Sequence, residues 1–108
     1  MKVGDSVRVK AGVKDPDLSF DIGGWQGRIR GADGDDTVDI EWDSLTLRAM
    51  GIDLVIQCDN ANLDWRFMTL GLDEVEQAEC RDTEADVSKA VMAITDAMLV
   101  DPRFNAEG

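Results

Sequence analysis

At 108 residues the chain has room for one domain, and a 44% apolar content is that of a folded globular protein rather than a disordered tail. No run of eighteen apolar residues occurs, and residues 1–10 alternate polar with apolar, which predicts neither a membrane span nor a signal peptide and places the protein in the cytoplasm. The net charge is −12 and there is no histidine and no tyrosine, so the usual general base, the commonest metal ligand and every histidine-activated nucleophile are excluded.

The charge is uneven. Residues 1–30 hold six basic against four acidic side chains, and residues 31–108 hold five against nineteen. Such a surface repels phosphate backbones and favours basic partners, divalent cations or simple solubility, so no nucleic acid and no membrane is expected as a partner. Cys58 and Cys80 are too few for the cysteine framework of a small secreted domain. They read as reduced thiols, with an inter-strand disulfide as the alternative.

Ser6-Val7-Arg8-Val9-Lys10 alternates with period two and predicts a strand with Val7 and Val9 inward. Residues 11–24 read as a long loop, broken by Gly12, Asp15-Pro16-Asp17 and Gly23-Gly24 and folded back on the core through Phe20 and Ile22. Trp25–Arg30 predicts a second strand, with Trp25, Gly27 and Ile29 on one face. A turn at Asp33-Gly34 leads to the clearest alternation, Thr37–Trp42, with Val38, Ile40 and Trp42 inward and Thr37, Asp39 and Glu41 outward.

Asp43-Ser44 predicts the cap of a short helix through Leu45, Leu47 and Met50, ending at Gly51. Ile52–Cys58 is apolar without clear period; helix stays open, and strand is the favoured reading. Asp59–Asn62 reads as a turn, Trp65–Leu70 as a strand, and Leu72–Cys80 as an acidic connector. Thr83 with Asp86 three residues on resembles a capping box, and Val87, Val91, Ile94 and Met98 then repeat at spacings of four, three and four. Ala90 and Ala97 fill that stripe, Met92 and Leu99 lie off it, and Asp101-Pro102 stops the helix.

Gly4-Asp5-Ser6-Val7-Arg8-Val9-Lys10-Ala11-Gly12 followed by Gly24-Trp25-Gln26-Gly27-Arg28-Ile29 resembles the start of a KOW-type, SH3-like small barrel. The wider set, including Ile22-Gly23, Glu41-Trp42-Asp43, Thr46-Leu47, Met50 and Leu63-Asp64-Trp65, resembles small uncharacterised bacterial proteins, some carried on mobile, integron-type gene cassettes. The resemblance spans roughly residues 3–75 and implies a mainly β fold with added α structure. Residues 1–75 would form an SH3-like barrel of about five strands. Residues 76–108 would form an acidic connector and an amphipathic helix packed on the barrel or on a second subunit. It implies a binding or scaffold module and supplies no active site. The chain departs from RNA-binding relatives, because only Lys10, Lys14, Arg28 and Arg30 are available for a basic patch. It departs from peptide-binding SH3 domains in having no tyrosine groove.

Trp25, Gly24, Phe20 and Trp42 are the candidate partner surface, against the plainer reading of strand tryptophans as core. Val87, Val91, Ile94 and Met98 are the candidate oligomer helix, the partner being another protein or a second copy. Asp15, Asp17, Asp33 and Asp35 are the candidate Ca²⁺ ligands, since Asp15-x-Asp17-x-Ser19 and Asp33-x-Asp35-Asp36 space oxygens for a hard cation. Neither continues as an EF-hand, with Phe20 and Val38 where glycine belongs and Gln26 and Ser44 where glutamate belongs. Asp39 and Glu41 share a strand face, but that face is expected to point outward into water, so no catalytic residue is assigned and the protein is expected not to be an enzyme.

Overall fold

The computed structural model of the protein describes residues 1–32 and 34–105. They form two compact units: Met1–Trp42 with Phe67–Arg81, and Asp43–Arg66 with the described residues from Asp82 onward.

The first unit is a five-stranded antiparallel sheet of β1 (Ser6–Val9), β2 (Gln26–Gly31), β3 (Thr37–Trp42), β4 (Phe67–Gly71) and β5 (Val75–Gln77). The order β4-β3-β2-β1-β5 leaves β4 and β5 as its two edges. The pleat puts Val7 and Val9 of β1, Ile29 of β2, and Val38, Ile40 and Trp42 of β3 into the core, with Leu70, Val75 and the loop residue Ile22. Gly27 faces Trp42, and Ile29 faces Ile40, across the β2–β3 ladder; the register then shifts between Ile29 and Gly31.

Several details differ from expectation. Trp65 precedes β4 instead of opening it. The acidic connector contains a 3₁₀ turn at Leu72–Glu74 and then β5, which pairs Val75 with Val9 and Gln77 with Val7. The residues after β5 also cover the outer face of β2. Gln26 Nε2 donates to the Glu79 carbonyl at 2.6 Å, and the Arg28 guanidinium lies 3.2 Å from Cys80 Sγ. Gln26 and Arg28 are therefore buried although they point away from the apolar core. Glu41, expected outward and solvated, is only 8% exposed, because Arg30 folds over it with contacts of 2.7 and 2.8 Å to Oε1. Cys58 is buried and Cys80 is exposed, and neither is in a disulfide.

The second unit is helical. α1 runs Ser44–Asn60, capped by Asp43, whose carboxylate accepts from the Thr46 N–H at 2.9 Å. The strand favoured for residues 52–58 is thus a helix. Val55, Ile56 and Cys58 are buried, while Asp53, Gln57 and Asn60 fall at intervals of four and three on an exposed face. Burial of that apolar face overrides the strand preference of β-branched Ile52, Val55 and Ile56.

Gly51 interrupts the helix as expected, yet the chain resumes a helix at once. Its φ of 76° and ψ of 156° lie in a region open essentially to glycine alone. No atom lies within 4 Å of a Cβ placed there, so a side chain would meet backbone strain and nothing else. Gly51→Ala is expected to lower stability by about 1–3 kcal/mol, read as a fall in the urea midpoint at unchanged slope. An unchanged midpoint would show that the kink is not held.

α2 spans Glu84–Leu99 with the expected cap: Asp86 N–H donates to Thr83 Oγ1 at 3.2 Å, and Thr83 N–H donates to Asp86 Oδ2 at 3.0 Å. It packs on α1. The short α3, Pro102–Asn105, follows. Arg103 joins it to α1 through Asp53 at 2.7 Å and to the preceding turn through Asp101 at 2.9 Å. Hydrogen bonds from the Arg103 side chain and backbone hold the Asp101 carboxyl below its ordinary value. No helix among the described residues is long and apolar enough to cross a membrane.

Candidate partner-binding surface

The aromatic set is positioned by the long loop between β1 and β2, which folds into an ordered arch. Val9 N–H donates to the Trp25 carbonyl at 2.8 Å and Gly24 N–H to the Val9 carbonyl at 2.9 Å, so the arch closes where the strands begin. Ile22 N–H to Val13 at 3.1 Å and Asp15 N–H to Phe20 at 2.8 Å continue the pairing outward, beside a bridge between Lys14 and Asp21. The tip turns on Asp15. Its buried carboxylate accepts from the N–H groups of Asp17 at 3.0 Å and Leu18 at 2.5 Å, a local turn that satisfies backbone donors.

On this arch Phe20 and Trp25 lie side by side and half-buried, with ring centroids 5.6 Å apart and planes tilted by 38°. Trp25 stands edge-on against Trp42, at 5.1 Å and 86°, a favourable aromatic geometry. Trp42 itself is 1% exposed. It is the floor of the cluster and not part of the surface, which corrects its assignment to the partner face. Gly24 is exposed beside Trp25. The result is a small aromatic platform of Phe20 and Trp25 on a hydrogen-bonded base.

The remaining candidates are placed as follows. Asp17 and Asp35 are exposed, Asp15 is bound within its own turn, and Asp33 lies outside the described residues. Among the described residues no group of three acidic or thiol side chains is gathered to hold a metal ion. Asp39 accepts from Thr69 Oγ1 at 2.5 Å, whereas Glu41 pairs with Arg30, so the two outward carboxylates of β3 have separate partners. Val87 and Met98 are buried and Val91 and Ile94 half-buried in the helical unit, where α2 packs on α1.

One feature was not anticipated. α1 and α2 leave an open groove at Gly51, Ile52, Ala93 and Ala97. Its signal in the sequence is the coincidence of a helix-interior glycine with alanines at positions 90, 93 and 97.

Comparison with protein-family models, curated proteins and solved structures finds no match for this chain.

Proposed function

We propose that this chain is a non-catalytic protein-interaction module built on an SH3-like small barrel, and that it docks a partner protein on the Phe20–Trp25 platform. The strand order β4-β3-β2-β1-β5, the long arch between the first two strands and the 3₁₀ turn before the last support the barrel reading. The observation that carries the docking reading is the half-buried Phe20–Trp25 pair, held in place by Trp42 beneath and by the arch around it. A preorganised aromatic surface binds without having to order its own side chains first, and tryptophan is enriched among the residues that dominate interface energetics. Outward carboxylates engaged by Thr69 and Arg30, in a chain without histidine, favour recognition over catalysis.

Selection of a displayed random-peptide library on the wild type and on Trp25→Ala tests this. Sequences enriched on the wild type are expected to lose at least tenfold in affinity on Trp25→Ala, the range of an interface anchor at about 1.4 kcal/mol or more. Equal enrichment on both proteins, with the variant folded by circular dichroism, would remove the platform from the binding surface.

A further inference from the structure

The groove of the helical unit and one face of α2 fit each other, but not within one molecule. The groove is about 220 Å³ and is lined by Leu47, Gly51, Ile52, Ala93, Ile94 and Ala97, with Arg48 also on its wall. That is smaller than the roughly 300–1,000 Å³ of a small-molecule site and suits protruding aliphatic side chains. Such side chains stand on the same helix. Met92 and Leu99 are 66% and 55% exposed. At about 100° per residue Met92 lies about 140° round the helix from Ala97, so ridge and groove face different ways. The ridge residues are two turns apart, about 10 Å, the same interval that separates Ala90 from Ala97 along the groove wall. Charge agrees with shape: Asp96 is exposed between the two ridge residues, and Arg48 is exposed at the groove.

We propose that a second copy of this chain seats its Met92–Leu99 ridge in the α1–α2 groove, with Asp96 of the incoming copy meeting Arg48. Ridge and groove face different ways on α2, so one pair of copies does not engage both at once; the contact is heterologous, and each added copy presents a fresh groove or a fresh ridge to the next. Assembly therefore proceeds head to tail and does not stop at a two-fold dimer. The charge of −12 on every copy opposes it, which makes association weak and dependent on concentration. The proposal uses neither Phe20 nor Trp25 and stands or falls apart from the peptide-docking reading.

Sedimentation velocity over a wide concentration range tests it. The wild-type average mass is expected to climb past that of a dimer. The ridge variant Met92→Ser/Leu99→Ser and the groove-filled variant Ala93→Leu/Ala97→Leu are each expected to remain monomers. An equal mixture of the two should give a one-to-one dimer and nothing larger, because one keeps only a groove and the other only a ridge. All four positions are exposed, and thermal melts like the wild type check folding. Should the groove-filled variant misfold, Arg48→Asp and Asp96→Lys take its place: each alone is expected to remain a monomer, and their mixture to grow past a dimer by alternation, because both ridge-and-groove pairings are then oppositely charged. A wild type that stays monomeric throughout, growth that stops at a dimer, or association that survives both the ridge and the groove substitutions overturns the proposal.

Discussion

Ile40→Asp is expected to abolish cooperative folding. Ile40 is 0% exposed and sits on β3 opposite Ile29 on one side and Met68 on the other. Removing an isoleucine side chain from such a site costs about 2–5 kcal/mol. An aspartate there adds an unpaired buried charge, worth several kcal/mol more. The sum reaches the whole stability of an ordinary domain, about 5–15 kcal/mol. Circular dichroism should lose its cooperative melt, and Val38→Asp, one inward position away on the same strand, should do the same. A sigmoidal melt close to the wild type for either variant would show that β3 does not form the centre of the sheet.

Gly27→Ala, a change of one methyl group, is expected to cost about 3 kcal/mol or more. Gly27 lies on β2, paired with Val7 of β1 on one side and Trp42 of β3 on the other. A Cβ there would run into the carbonyl oxygen of Glu41 and lie 2.8 Å from Ile40 Cγ2. The first obstacle is backbone in the same ladder, so it cannot rotate away, and β2 and β3 would have to separate where both neighbours hold them. Gly31→Ala is the internal comparison. The nearest atom to its Cβ is the end of the Asp39 side chain at 3.3 Å, which can move. Chemical denaturation of the two variants should place Gly27→Ala far below Gly31→Ala. Equal midpoints would mean that β2 and β3 do not approach as closely as described.

The strands β1 to β3 were legible in the sequence because each has one dry and one wet face, and alternation records that directly. The terminal helix was legible for the same reason at a different period, with Thr83 and Asp86 marking its start. Ile52–Cys58 was not, because three β-branched residues in a short apolar run carry a local preference that the buried face of α1 overrules. β5 was hidden by its length and its acids: only Val75 of its three residues is buried, and pairing with β1 supplies the rest. The site divided in the same way. Phe20 and Trp25 stood out as large rings among glycines. The burial of Trp42 and Glu41 could not be read, because it depends on Trp25 and Arg30 reaching them from other segments.

The position of β1 has a consequence for the order in which the protein is made. Of the five strands of this sheet β1 is the first to leave the ribosome, yet one of its two neighbours, β5, is the last. Val9 meets Val75 only after the whole of α1 and three further strands have been synthesised. At about 5–20 residues per second the sheet stays unfinished for seconds, with the outer edge of β1 unpaired and able to join another extended chain. Contacts so distant in sequence also slow the final closure, since loop entropy is lost before the pairing compensates for it. Nascent chains ending before Gln77 should therefore expose the β1 edge, and chains carrying β5 should not. The last three residues of the sheet act as its seal.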